Sequence, residues 1–344
     1  MVAPTPDRPQ FPCETVEVFA PARLHLGFLD VSGTLGRPFG SLGLTLEGIG
    51  TRVRLSRAHG RSAQAPPPER AARLLASLTQ HCAGAEHFQL TVLESIPEHV
   101  GLGSGTQLGL AIAAAMAAIE GEQVSARSLA QLVERGARSG IGVGAFQTGG
   151  FLIDGGKGSG EEPAPLIARA EFPAAWRVIL VFDHGHRGLF GEAEKAAFQA
   201  LPPFPADAAA HFCHLAMLRL LPGLVEANFD PVARTIGEIS ARLGDYFAPI
   251  QGGRFTSPRV STALHWLGAT GFVGLGQSSW GPTGFALMPS EAEARRVCDA
   301  LIARFGSDET LSFRICTGRN RGAEIRRWPA AFKQPSFARE RARR

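Results

Sequence analysis

Alternation of apolar and polar positions opens the ordered part of the chain. Val16 and Val18 alternate with Thr15 and Glu17, and Leu24, Leu26 and Phe28 alternate with His25 and Gly27. That period of two predicts half-buried strands, and GSLGLTLEGIGTRVRLS (40–56) continues it. Residues 70–83 read as a helix, and HFQLTVLESIP is a strand that leads into a glycine turn. The pattern then changes: Leu108 to Ile119 is apolar nearly all round, which predicts a buried helix. SARSLAQLVERG follows as an amphipathic helix with Ser125 as its N-cap. In the second half, WRVILVFD (176–183) is a buried strand and 207–245 is largely helical. Residues 271–290 are a strand, a glycine turn and a strand, 291–306 a helix, and 311–318 a last strand. Strands and helices in this order predict an α+β class. There is no internal repeat.

Composition refines the outline. Hydrophobic content of 44% and charged content of 19% suit a globular chain, and 344 residues suffice for two domains. A composition shift over 158–173 divides the chain into domains expected at 14–165 and 171–328, with loose termini at 1–13 and 331–344. The most apolar helix, Leu108 to Ile119, is too short to span a bilayer, and no other run is long and pure enough. The N-terminus has no basic-then-apolar signal pattern, so a cytoplasmic protein without membrane association is expected. Net charge is +4, with Arg339, Arg341, Arg343 and Arg344 in the tail, which reads as a solvated end and not as a nucleic-acid arm. Five scattered cysteines without a C-x-x-C read as thiols, neither disulfides nor a zinc site.

Candidate chemistry lies in the glycine turns. Gly101, Gly103 and Gly105 alternate with Leu102 and Ser104, followed by Thr106, at the start of the apolar helix. Glycines bring backbone N–H groups close to a ligand, and a helix N-terminus carries unpaired donors and a positive dipole end. Together they suit phosphate or pyrophosphate. Hydroxyls of Ser104 and Thr106 can bind phosphate or a metal ion. The spacing fits neither the Walker loop nor the Rossmann turn. A second constellation, ARLHLGFLDVSGTLGRPFGSLG, gathers Arg23, His25, Asp30 and Arg37. Either arginine can hold a carboxylate or phosphate, Asp30 can hold a metal or face a cation, and His25 can move a proton. A third, RSGIGVGAFQTGGFLIDGG, reads as a flexible turn with Arg138, Gln147 and Thr148 as polar contacts, and its acid, Asp154, comes only at a strand end. FDHGHRGLFGEAE places His184 and His186 beside Asp183, a substrate loop sooner than a metal site. GLGQSSWGPTG offers Gln277, Ser278, Ser279 and the aromatic face of Trp280.

The stretch from Pro97 resembles the phosphate loop of the GHMP kinase superfamily, P-x-x-x-G-L-G-S-S, with Gly105 in place of the second Ser. All the stretches together resemble one branch, the β-ribofuranosylaminobenzene 5′-phosphate synthases. Arg23–Leu26, Asp30–Arg37, Gly101–Thr106, Arg138–Gly156 and Gln277–Thr283 carry that branch's motifs, across roughly 15–320. The resemblance implies a two-domain GHMP-kinase-like α+β fold with its active-site cleft between the domains. It implies condensation of 4-aminobenzoate or 4-hydroxybenzoate with 5-phosphoribosyl 1-pyrophosphate, with loss of CO2 and pyrophosphate, in methanopterin biosynthesis. Mg²⁺ at Ser104 and Thr106 is the expected metal. Pyridoxal phosphate and thiamine diphosphate are not required, since the ring cation is its own electron sink. Small-molecule substrates and a homodimer are the expected partners. An ATP-dependent kinase of the same fold is the alternative, and a non-catalytic binding protein is a third reading.

Overall fold

The computed structural model describes residues 13–57, 65–80, 88–160, 162–188 and 191–329. The expected loose termini lie outside these residues, apart from the Cys13 backbone.

Two long strands, β1 (Cys13–Asp30) and β2 (Phe39–Arg57), pair antiparallel along most of their length. The free edge of β2 is shared. β3 (Phe88–Glu94) takes Arg52–Arg57, and β4 (Phe151–Asp154) takes Leu42–Leu44. β5 (Leu166–Ala170) pairs with β4. Helices α1 (Glu69–Thr79), α2 (Ser104–Ile119), α3 (Ala126–Leu132) and α4 (Ile141–Gln147) belong to this half. α2 is buried on nearly every side against Val16, Val18, Val53 and Leu55, as an all-apolar helix must be. Ser125 caps α3 by accepting from the Ser128 amide.

The second half begins with β6 (Arg177–Asp183) and α5 (Gly191–Ala200). α6 (Ala206–Leu215), a π-helical turn (Ala216–Leu220) and α7 (Leu221–Val225) then run on without a break. α8 (Phe229–Gln251), α9 (Pro258–Ala269), β7 (Leu275–Gln277), β8 (Gly284–Met288), α10 (Glu291–Phe305) and β9 (Leu311–Cys316) follow. The antiparallel order is β7-β8-β6-β9. Alternation along β6 serves two cores. Ile179 and Val181 face α9 and α10, while Val178 and Leu180 join a core that also holds Leu24, Leu26 and Leu44 from the first sheet. That shared core fixes the two halves against each other.

Four sequence expectations change. β9 is not the last strand: β10 (Glu324–Pro329) returns to pair with β1. With β5 also in the first sheet, the sheets do not divide the chain at 165 and 171. The expected flexible turn after Arg138 contains α4. Its Gly142 and Gly144 each cost a helix about 1 kcal/mol, but Ile141, Val143 and Phe146 are buried, at about 1.5–3 kcal/mol per large side chain. The glycines are needed for contact: a Cβ on Gly144 would lie 2.7 Å from Leu166. Finally, Ala206–Val225 forms one 20-residue helical run that is long and apolar enough, by length and composition, to cross a membrane. One face of it belongs to the core, while Met217, Leu218 and Val225 are exposed. Phe212, Leu215, Leu220 and Leu224 are buried, and His211 and Arg219 both bond Glu238 on α8. Its polar breaks, and the Pro222–Gly223 pair, hide its continuity in the sequence.

Candidate active site at the glycine loop

The glycine loop and the Gln277–Thr283 turn touch backbone to backbone. Gly101 has φ +85°, and a Cβ there would lie 2.2 Å from the Ser278 carbonyl oxygen. A Cβ on Gly281 would lie 2.3 Å from the Val100 carbonyl, so the contact needs glycine on both sides. Ser278 Oγ donates to the Gly101 carbonyl (2.8 Å) and accepts from the His25 amide (3.0 Å). The Ser279 amide donates to the His25 carbonyl (3.2 Å). Gln277 steadies the turn: its Oε1 accepts from the Thr256 amide and hydroxyl (2.8 Å each), and its Nε2 donates to the Ser279 carbonyl (3.0 Å). Three sequence stretches far apart along the chain thus form one body.

That body leaves a helix start open. Gly103, left-handed at φ 86°, precedes Ser104, and no side chain caps α2. The first N–H groups of a helix have no partner within it, and the dipole makes them attractive to an anion. Ser104 and Thr106 sit at this half-exposed start. Arginines flank it. Arg23 donates from Nη1 to the Gly101 carbonyl and from its amide to the Leu102 carbonyl (3.2 Å), with its side chain 3.5 Å from where a Gly103 Cβ would be. Arg70 on α1 comes closer: a Cβ on Gly105 would lie 2.1 Å from its Nη2. Its other terminal nitrogen bonds Glu98 (3.2 Å). Burial first, and the Arg70 charge second, hold the Arg135 guanidinium below its ordinary pKa. A cavity of about 580 Å³ opens here, lined by Arg70, Arg73, His99 and Ser104 among others. Sequence reasoning missed Arg70 because it sits in an ordinary-looking amphipathic helix. The available signal was glycine at 105, where the superfamily loop carries Ser.

On the other side of Arg23 lies an aromatic cluster. His25 is 3% exposed, and neither ring nitrogen has a hydrogen-bond partner among the described residues. Burial first, then Arg23 and Arg138, lower its pKa to about 3, so the ring is neutral at ordinary pH. Phe28 packs 4.5 Å from it. Trp280 is also 3% exposed, its indole nitrogen lacks a partner among the described residues, and Phe198 stacks on it at 4.5 Å and 11°. The Arg138 guanidinium lies over Phe198 at 5.3 Å. This site therefore joins a helix start suited to an anion to an apolar compartment containing unsatisfied nitrogens.

Comparison with known proteins decides the family. Residues 68–150 match the GHMP kinases N terminal domain, and 220–308 match GHMP kinases C terminal. Beta-ribofuranosylphenol 5'-phosphate synthase of Methanothermobacter thermautotrophicus is 31% identical over 329 residues, covering 88% of this chain and 96% of the relative. The protein of that name from Archaeoglobus fulgidus is 32% identical over 323 residues, covering 89% and 97%. The chain belongs to the beta-ribofuranosylphenol 5'-phosphate synthase family. Solved structures confirm the GHMP fold. Homoserine kinase from Cytophaga hutchinsonii aligns with a TM-score of 0.63 at 16% identity, covering 94% of this chain and 99% of that one. Mevalonate diphosphate decarboxylase from Staphylococcus aureus gives 0.62 at 14%, covering 91% and 98%. As a member of the synthase family the protein is an enzyme of the glycosyltransferase class.

The remaining candidates of this synthase lie elsewhere in the polar network. Asp30, expected in the chemistry, accepts from the amides of Ser32 (3.1 Å), Gly33 (2.8 Å) and Thr34 (2.6 Å) and from the Thr34 hydroxyl (2.7 Å). Its carboxylate holds the turn after β1. Arg37, expected to anchor a substrate anion, donates to the carbonyls of Gly155 (2.8 Å) and Gly156 (2.9 Å). Gln147 ends α4 exposed, with its backbone against Gly322, at the opposite end of that helix from Arg138. Asp154 is buried and takes four donors, from Ser41, Ser139, Gly140 and Gly156. His184 bonds Ser312 (2.7 Å), and Asp183 binds the Ser257 hydroxyl (2.7 Å). Among the described residues no group of three or more His, Cys, Asp or Glu could hold a metal ion.

Proposed function

We propose that the enzyme joins a 4-substituted benzoate to 5-phosphoribosyl 1-pyrophosphate. The relatives' name denotes a ribofuranosyl phenol carrying a 5′-phosphate, which favours 4-hydroxybenzoate over 4-aminobenzoate as the ring substrate. The observation that carries the reading is the uncapped start of α2 between Arg23 and Arg70, opening beside the His25 and Trp280 compartment. One part suits a leaving diphosphate and the other an aromatic ring.

The chemistry follows from those parts. The bond from the anomeric carbon to oxygen breaks, and its electron pair leaves with pyrophosphate. Preorganised N–H groups and guanidinium charges stabilise the charge on that leaving group. The ring carbon bearing the carboxylate supplies the pair for the new carbon–carbon bond, helped by its para substituent. Its carboxylate then leaves as CO2, and the released pair restores the ring. A neutral His25 suits the apolar side, since a buried imidazolium would repel the developing sugar cation. Mg²⁺ would supply charge neutralisation at the phosphates. This ion takes oxygen ligands and keeps several waters, so the substrate's phosphate oxygens and the Ser104 and Thr106 hydroxyls suit it. The product is of the kind that methanopterin biosynthesis would consume.

Two observations speak against the kinase reading. The buried Asp154 is enclosed by its four donors, and Gly105 gives room to Arg70 where the kinase loop has a serine. The test is release of labelled CO2 from carboxyl-labelled 4-hydroxybenzoate. Release that requires phosphoribosyl pyrophosphate and Mg²⁺ is expected. ATP turnover onto a small alcohol without CO2 would make the protein a kinase.

A further inference from the structure

Phe198 is half-buried among other aromatic rings. Trp280 stacks on it at 4.5 Å and 11°, while Phe39, Phe28 and Phe247 meet it edge-on at 5.6, 6.0 and 6.0 Å. Arg138 lies over the ring at 5.3 Å. A lone aromatic ring with a parallel partner, three edge partners and a guanidinium is the environment an aromatic carboxylate needs. The same compartment holds two nearly fully buried polar side chains, His25 and Trp280, whose ring nitrogens have no partner among the described residues. Leaving such groups unsatisfied costs free energy that a polar ligand can recover. Phe198 has no atom with which to satisfy them.

We propose that Phe198 stands in for the ring of the aromatic substrate, and that 4-hydroxybenzoate binds by displacing it. This inference rests on the reaction proposed above and adds where the ring sits and what must move. The cavity on the α8 side of His25 and Trp280, which Phe198 does not line, is about 30 Å³, whereas a cavity that takes benzene measures ~150 Å³, so a ring stacked on Trp280 needs the place that Phe198 holds. α5 is suited to swing. Of its described side chains Ala197 and Phe198 turn inward, while Ala196, Gln199 and Ala200 are exposed. Gly191, at its start, is left-handed (φ +63°), with no atom of the described residues within 4 Å of where a Cβ would be. With Phe198 out, the substrate ring stacks on Trp280. Its carboxylate lies within reach of Arg138, and its polar groups meet the nitrogens of His25 and Trp280. The compartment adjoins the loop through His25 and Ser278, so the ring carbon and the anomeric carbon can meet.

A self-occupied site binds its ligand more weakly by the fraction of time it stands open. Phe198→Ala should therefore bind 4-hydroxybenzoate about ten-fold more tightly than the native enzyme by calorimetry, if the open state is about a tenth populated. The KM for phosphoribosyl pyrophosphate should stay within about two-fold, because Phe198 is outside the anion site. Phe198→Leu, which keeps an apolar side chain on α5, should tighten binding in the same direction by less. Equal or weaker binding in both variants would make Phe198 a plain wall of the site and overturn the proposal. CO2 release by the native enzyme separates the two readings. Native turnover without tightening removes the stand-in role and leaves the reaction. Tightening without native turnover leaves the aromatic-acid subsite and removes the reaction. Neither turnover nor benzoate binding removes both.

Discussion

Two glycine-rich turns look alike in the sequence and differ in the fold. The Asp30–Arg37 run and the Gly101–Thr106 loop both mix glycines with polar side chains. In the first, the hydrogen-bonding groups are in use: Asp30 takes four donors and Arg37 binds two carbonyls. In the second, the start of α2 has no side-chain cap, and Ser278 and Arg23 secure the loop from behind. A polar group already satisfied by the protein has little left for a ligand. The place where capacity is left over marks the site better than the density of charged residues does.

The sharpest way to break this contrast is Gly101→Ala. A left-handed alanine costs about 1–2 kcal/mol before any clash, and its Cβ would collide with the Ser278 carbonyl. The loop must then part from the turn. A shift of about 1 Å is enough to lower kcat/KM by about 100-fold, measured by CO2 release alongside a melting curve. Gly105→Ser restores the superfamily residue and evicts Arg70. We expect the KM for phosphoribosyl pyrophosphate to rise about ten-fold, the worth of one charge-assisted contact, with kcat little changed. An unchanged KM would take Arg70 out of the anion site.

His25 gives a pH test. Folded, its pKa is about 3 against an ordinary 6.5. Between those values the unfolded chain binds a proton that the folded one refuses. Stability is therefore fully present above about pH 6.5 and falls as the pH drops toward 3. At about pH 5 the loss is on the order of 2 kcal/mol relative to pH 7. In His25→Gln that loss should vanish, so denaturant midpoints at the two pH values draw together by that amount. Asp30→Asn should have the smallest catalytic effect. It weakens the turn by about 1 kcal/mol and leaves kcat within about two-fold. A collapse of kcat with an unchanged melting temperature would return Asp30 to the chemistry and erase the contrast.

The strands and helices with clear periodicity were legible in the sequence. β1, β2, β6 and α2 declare themselves by what must be buried. α4 did not, because its glycines argue against a helix locally while the contacts to Leu166 and Thr106 that require them come from elsewhere in the chain. β10 gives no local sign that β1 is its partner. At the candidate site, the glycine loop, Arg23, His25, Arg138 and Trp280 are readable as residue types in motifs. Arg70 and Phe198 are not, since each is defined by what it touches: Gly105 is 35 positions after Arg70 and Trp280 is 82 after Phe198.

The pairing of β10 with β1 has a consequence for how the chain is made. β1 ends at Asp30 and its partner begins at Glu324, so 324 − 30 = 294 positions separate them. At about 5–20 residues per second the ribosome takes about 15–60 s to cover that span. Throughout that interval the outer edge of β1 is an open template for other strands. The nascent chain therefore has to shield β1 until β10 emerges. A message that stalls late would release a product with most of its core and an unclosed edge, a form suited to aggregation and to capture by chaperones.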